Sequence, residues 1–428
     1  MEVLVIGKPT MNIYLPLQEY PQEGDVFFIN TKHESLGGIG TVSACLFAKW
    51  GVKPYFTGVL GNDAYGEKIR NTLSEYKVNT KFLETNFGKP TTTNYFILNV
   101  KSGEVTKILY NDPNVELTKY KYDFQPDWAI LDGVDTAGAM ALLNNDLRVN
   151  TVLYARRADQ NTITLAKKSS YIVCTQAFVE NYTKTQISSN EQTQEYVDMY
   201  QKLVDLAGSN NYVVILRNKK ILYCEANKVK MLPEMKINHA DVSSFDSVFT
   251  GAFTFGMMKG LDIDDSVKFA NTAAAISISK IGEEPSIPTL DEVLDNSGLR
   301  DKFNSAKEVV MKVGVGNNNV NPVAETVQVE SPVQQEVPQT EVPVEQVPAE
   351  VQPAIDPFAQ QVVQEQPVET PVAMPEAQPV VETQPVAMPE VQPSVETQSV
   401  EMPQVAQPVT TEPVEMPIPQ HEETNIFG

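Results

Sequence analysis

Residues 239–253 read HADVSSFDSVFTGAF. A strand-like segment runs into this stretch and an apolar helix runs out of it, with Val248, Phe249, Ala252 and Phe253 on its apolar face. A carboxylate at such a junction has two readings. Asp246 can favour the helix dipole from the first turn, a common structural role. It can also act as a general base beside an anion bound at the same helix end. Residues 36–41, LGGIGT, supply a second candidate. Gly37, Gly38 and Gly40 make either a tight structural turn or a place where the backbone comes close to a small ligand. Several other chemistries are excluded. Gly7-Lys8-Pro9-Thr10 lacks the first glycine of a phosphate loop, and Pro9 removes a donor where one is needed. His33, His239 and His421 have no ligand spacing, so no metal site is expected from the residues themselves. No GxSxG elbow is present.

The elements that must position these residues are legible from pattern. Val3-Leu4-Val5-Ile6-Gly7 reads as a buried parallel strand. A helix follows the glycine turn and stops at Gly51, a strand follows at 55–59, and Asp63 is placed to cap the next helix. Residues 91–100 and 106–110 alternate around Ser102-Gly103, a hairpin signal. Strands at 128–131, 151–154, 171–174 and 212–216 then alternate with helix-length segments, which predicts a parallel sheet covered on both faces. Ligands of such sheets bind at the carboxyl ends of the strands. The earlier hairpin strands do not fit the alternation and predict a small separate sheet.

Charge divides the chain. Its 428 residues carry a formal net charge of -22, yet all 33 Lys and Arg lie in residues 1–312, beside 37 of the 55 Asp and Glu. The front part is therefore near neutral and long enough for one large core. Residues 313–428 hold the other 18 acids and 19 of the 29 prolines. Within them, PVAMPEAQPVVETQ is followed by PVAMPEVQPSVETQ, a period of 14 residues with looser copies beyond. Repeated proline and scarce aromatics predict an extended, disordered, solvated tail. It reads as a spacer, or as a partner-binding arm whose docking points are the islands at Phe358 and Phe427. Cys45, Cys174 and Cys224 each lie in an apolar run, which predicts free buried thiols and a cytoplasmic setting. No apolar run approaches the ~20 residues needed to span a membrane. Acidity argues against nucleic-acid binding.

Taken together these stretches resemble the ribokinase-like (PfkB) family of carbohydrate and nucleoside kinases, over residues 1–312. VLVIGKPTMN resembles the family's first strand, with Asn12 near the usual substrate-binding Asp, and LGGIGTVSACLFAKWG resembles the GGxGxN signature. GVLGNDAYGEKI resembles the GxDxxG turn, FDSVFTGAF the end of the DTxGAGD signature, and KFANTAAAISISKIGEEPSIPTLDEV the C-terminal helix with its following segment. The resemblance implies an α/β three-layer sandwich with a mostly parallel sheet and a small β-sheet lid drawn from about residues 12–35 and 91–110. It implies transfer of phosphate from ATP, with Mg²⁺, to a hydroxyl of a small sugar or nucleoside-type substrate. Asp246 would be the catalytic base. Asn12, Gly37, Gly38 and Gly40 would hold substrate. Ser243, Ser244, Arg217 and Asn271 would lie on the nucleotide, and a homodimer through the lid is a further expectation.

The departures cluster at the chemistry. Val42 replaces the Asn of GGxGxN, and Ser243-Ser244-Phe245 replaces the glycine turn. The Asp241-to-Asp246 spacing is one residue short; anchoring on Asp241 instead would put Ser247 at the base position. If the turn needs positive φ, each replacement costs about 1–2 kcal/mol, and the Phe245 ring would stand where phosphate approaches. Ile215-Leu216-Arg217-Asn218-Lys219-Lys220 replaces the family's glycine-bearing nucleotide turn, with cations that either meet phosphates or solvate the turn. Thr175-Gln176-Ala177-Phe178, at the segment tied to Mg²⁺, has no acid in register. An alternative function follows: a pseudokinase that serves as a ligand-binding or scaffold module.

Overall fold

The computed structural model describes residues 1–110, 116–145, 148–188 and 190–309. The expected tail, with Phe358 and Phe427, lies outside the described residues. The chain opens with β1 (Val3–Ile6), whose four residues are all buried because the sheet is covered on both faces. It then leaves the main sheet for β2 (Thr10–Leu17) and β3 (His33–Gly37). It returns through α1 (Ile39–Lys49), β4 (Pro54–Gly61), α2 (Ala64–Glu75) and β5 (Asn79–Asn86), and leaves again for the hairpin β6 (Thr93–Asn99) and β7 (Val105–Leu109). From there it alternates: β8 (Trp128–Leu131), α3 (Thr136–Asn145), β9 (Asn150–Ala155), α4 (Gln160–Ala166), β10 (Tyr171–Thr175), α5 (Gln176–Thr183), α6 (Thr193–Ala207) and β11 (Tyr212–Ile215). An antiparallel pair, β12 (Ile221–Glu225) and β13 (Lys228–Leu232), extends the edge. A 3₁₀ turn (Val242–Ser244) enters α7 (Phe245–Lys259), followed by α8 (Ile263–Ser277), α9 (Leu290–Ser297) and α10 (Arg300–Ser305).

The main sheet has the order β13-β12-β11-β10-β9-β8-β1-β4-β5. Strand order reverses between β1 and β8, so the loops after these strands part and leave a crevice at their carboxyl ends. Alternation along β1 sorts the two cores. Val3 and Val5 pack with Phe47, Val248, Phe253 and Ala273 of α1, α7 and α8. Leu4 and Ile6 pack with Leu142, Phe178 and Tyr200 of α3, α5 and α6. The small sheet, β3-β2-β6-β7, is the lid expected from the early strands. The three-layer α/β sandwich is thus the predicted one. The strands not foreseen, β5, β12 and β13, sit at the sheet edges. β5 (NTKFLETN) buries only Leu83, so it carries little apolar alternation to read. The three cysteines are buried and free. No helix among the described residues is long and apolar enough to cross a membrane.

Asp63 caps α2 by accepting from the Gly66 amide at 2.8 Å, as expected from sequence. It does more than cap. It also accepts from the Thr91 amide at 2.7 Å and the Thr91 hydroxyl at 2.6 Å, which fixes the entry into β6 and hence the lid. Asp63→Ala should lower unfolding free energy by about 1–3 kcal/mol, since a cap and two charge-assisted bonds go together. Urea denaturation of the two proteins measures it.

Candidate active site

The 3₁₀ turn before α7 shows how Ser-Ser-Phe replaces a glycine turn. No residue from Asp241 to Asp246 has positive φ; Ser244 lies at φ -77° and Phe245 at φ -52°. The strain expected of non-glycine residues is therefore absent. Nor does the Phe245 ring block an anion. It is buried in the core, stacked 6.2 Å from Phe249. Asp241, fully buried, builds the turn. Its carboxylate accepts from the Ser243 amide at 2.8 Å, the Ser243 hydroxyl at 2.8 Å and the Gly282 amide at 2.9 Å. The turn thereby consumes its own donors. The Val242 amide bonds Gly103 O at 3.1 Å, and the Phe245 amide bonds Val242 O. Ser243 Oγ also meets the Tyr14 hydroxyl of the lid at 2.9 Å, and Ser244 Oγ meets Ser277 Oγ at 2.9 Å.

Asp246 stands in the first turn of α7, half-buried. The Tyr154 hydroxyl, at the end of β9, donates to its Oδ2 at 2.6 Å. Three cations from separate elements converge around it. Lys107 of β7 reaches Ser243 O at 3.0 Å and lies 3.9 Å from Glu283. Arg156 follows β9, its guanidinium carbon 6.0 Å from the Tyr154 ring centre. Lys219, in the β11–β12 turn, holds its ammonium 5.2 Å from the Phe245 ring centre, on a backbone with φ +60°. That left-handed conformation is unusual for lysine and marks a constrained turn. Burial pushes the Asp246 carboxyl up, but Lys219, Lys107, the Tyr154 hydroxyl and Arg156 outweigh it and leave it below the ordinary value. It is ionised at neutral pH and can accept a proton. Burial lowers the Lys107 ammonium, against the pull of Glu283 and Asp246. Burial likewise raises the Glu283 carboxyl, against Lys107.

The other expected site residues fall into two groups. Gly38 connects to the α7 start through Glu283, Lys107 and Ser243: the Gly38 amide donates to Glu283 at 3.3 Å, Glu283 lies 3.9 Å from the Lys107 ammonium, and Lys107 donates to Ser243 O. Gly38 needs its φ of +100°, and a Cβ there would lie 2.5 Å from Lys8 O. Gly37 lies against Asn12, where a Cβ would fall 1.9 Å from the amide nitrogen. Asn12 Oδ1 is bound by Thr10 and Asn94, each at 3.0 Å. Its Nδ2 is buried without a partner among the described residues, a donor left for a ligand. Gly40 instead packs on the Gly7 backbone, a structural contact. Arg217 goes elsewhere: its guanidinium grips the Glu180 carboxylate, one bond at 2.8 Å, and its amide donates to Gln176 at 3.1 Å. Asn271 is buried on α8, its Oδ1 without a partner among the described residues. Sequence reading missed Tyr154, Arg156, Lys107 and Glu283. Each is brought in by tertiary structure; Lys107 and Tyr154 lay in stretches read only as strands, and Glu283 lay inside GEEPSIPT, part of the resemblance.

The segment that the resemblance ties to Mg²⁺ offers no uncommitted carboxylate among the described residues. Thr175 caps α5, Gln176 is bonded to Arg217 and Glu180, and Glu180 is taken by Arg217. No group of three or more metal-ligating acids, His or Cys occurs among the described residues.

The pfkB family carbohydrate kinase profile matches residues 2–290. The ribokinase of Lactococcus lactis is 25% identical over 306 residues, covering 68% of this chain and 95% of that protein. The ribokinase of Thermotoga maritima superposes with a TM-score of 0.57 at 21% identity, over 71% of this chain and 98% of that one. Arabidopsis thaliana ribokinase, solved with ribose and ATP, gives 0.53 at 19% identity, over 69% and 98%. The chain belongs to the pfkB family of carbohydrate kinases.

Two predictions follow from the buried acids. Asp241→Ala strips three donors of their acceptor and should cost about 2–3 kcal/mol or more of stability, read by chemical denaturation. Asp132, at the end of β8, accepts from the amides of Lys8 at 2.6 Å and Val134 at 2.9 Å, yet burial pushes it up to about 6. The folded state then binds this proton more tightly than the unfolded chain. Its stability contribution is full below the ordinary carboxyl value and is lost as pH rises through about 6. Asp132→Asn should flatten the pH dependence of Tm between about pH 4 and 7.

Proposed function

We propose that this domain transfers phosphate from ATP to a hydroxyl of a small sugar or nucleoside-type ligand, with Asp246 as general base. The observation that carries the reading is an ionised, half-buried Asp246 at the start of α7, ringed by Lys107, Arg156 and Lys219. Tyr154 occupies Oδ2 and orients the carboxylate, and no described side chain donates to Oδ1. Oδ1 takes the proton from the ligand hydroxyl, whose oxygen attacks the γ-phosphorus of ATP as the bond to the bridging β-phosphate oxygen breaks and ADP leaves. The Gly37-Gly38 turn and the free Asn12 amide hold the ligand beneath the lid. The relatives named ribokinase support the substrate class, and the Arabidopsis ribokinase complex supports ATP as donor. The outer face of the lid pairs Tyr95 with Ile108, both exposed, and a second copy of the chain is the proposed cover. Residues 1–312 form the kinase domain in this reading, and residues 313–428 an appended arm.

One observation favours a second reading. Three amides of the α7 turn are already bonded within the protein, so the backbone cradle that would hold a transferring phosphate is depleted. A pseudokinase would keep the ligand site and use the tail to engage a partner. A panel of sugars and nucleosides with Mg·ATP, scored by ADP release, separates the two. The kinase reading expects turnover that Asp246→Asn lowers by about 10²–10⁴-fold. Absence of turnover across the panel supports the pseudokinase.

A further inference from the structure

Phosphoryl groups need positive charge or donors from somewhere. In this site the amides of Val242, Ser243 and Phe245 are already bonded within the protein, and no group of three or more metal-ligating side chains occurs among the described residues. Positive charge is nevertheless concentrated here. Lys219 and Arg156 have no carboxylate within ion-pair distance among the described residues; each rests on an aromatic ring, Phe245 and Tyr154 respectively. Lys107 donates to Ser243 O and is 3.9 Å from its nearest carboxylate, Glu283, beyond direct hydrogen bonding. The three arrive from the lid, the end of β9 and the β11–β12 turn, so no single local motif accounts for their meeting. Lys219 is held there by a left-handed backbone. The one acid near the metal-associated segment, Glu180, is neutralised by Arg217.

We propose that Lys107, Arg156 and Lys219 form a side-chain phosphate site that binds a phosphate ester without a divalent metal. Guanidinium and ammonium groups supply the charge that backbone amides and a bound metal would supply in a glycine-bearing turn. The phosphate belongs either to the nucleotide or to the sugar itself; both offer the same dianionic oxygens. The inference deepens the kinase reading but concerns binding alone.

Calorimetric titration of the full chain tests it, with ATP and ribose 5-phosphate as probes, each in excess EDTA and in excess Mg²⁺, and with ribose as the uncharged control. The expected result is that at least one phosphate ester binds in EDTA within about threefold of its affinity in Mg²⁺, and at least tenfold more tightly than ribose. Lys219→Gln and Arg156→Gln should each weaken it about tenfold or more, as the loss of a charge-assisted contact does. Arg300→Gln, which removes an exposed cation from an unrelated ion pair with Asp291 and Asp295, should not. Lys219 lies in a turn, and unchanged Tm for its variant excludes misfolding as the cause. Which probe responds identifies the source of the phosphate. Binding that requires Mg²⁺, binding indifferent to both substitutions, or no binding of either ester overturns the proposal. Turnover requiring Asp246 with cation variants intact would leave the kinase reading standing and remove this one. Metal-free binding without turnover would do the reverse.

Discussion

The Asp241 carboxylate is the interaction on which the rest of the site depends. It is buried, ties the start of α7 to the turn after α8 through Gly282, and engages both the amide and the hydroxyl of Ser243. Through Ser243 it reaches Tyr14 and so the lid. A buried carboxylate persists only when its oxygens are satisfied, and three donors do that here. The consequence is geometric. With these bonds made, the chain enters α7 as a 3₁₀ turn in ordinary helical dihedrals, without glycine and without strain. It is also chemical, because the same bonds use up an amide that would otherwise point at an anion.

Around that fixed start, the sandwich brings charge from three directions. The parallel sheet delivers Tyr154 and Arg156 at the carboxyl end of β9, the hairpin after β11 delivers Lys219, and the lid delivers Lys107. Asp246 is kept ionised by this company despite its burial. In the proposed kinase reading, Asp246 is the proton acceptor and side chains supply the positive charge that backbone amides would otherwise give. Such side chains must be ordered on binding, whereas backbone dipoles are preorganised.

Much of this was legible from sequence, and the reasons are specific. The run VLVI and the later alternation of strands with helix-length segments predicted the covered parallel sheet, since burial on both faces leaves only apolar residues. Asp63 was recognisable as a cap because capping is local. Asp246 drew notice because it opens an apolar helix, and it does lie in the first turn of α7. Tyr154, Arg156 and Lys107 drew none, because nothing local distinguishes them from any strand-end or hairpin residue. Arg217 was expected on the nucleotide; its guanidinium is bonded to Glu180, while its neighbour Lys219, on a backbone with positive φ, rests on the Phe245 ring. The cost set on the missing glycines was conditional on positive φ, and the turn has none, a conformation that sequence alone does not show.

Bonds made by the amides of Val242, Ser243 and Phe245, the second of them to Asp241, close these three amides at the start of α7 to phosphate. Hydrogen–deuterium exchange over residues 241–249, with and without Mg·ATP, measures this most directly. The account predicts strong protection in the free protein and no added protection with nucleotide. Rapid exchange in the free protein, slowed by Mg·ATP, would show these amides to be phosphate donors and would contradict it.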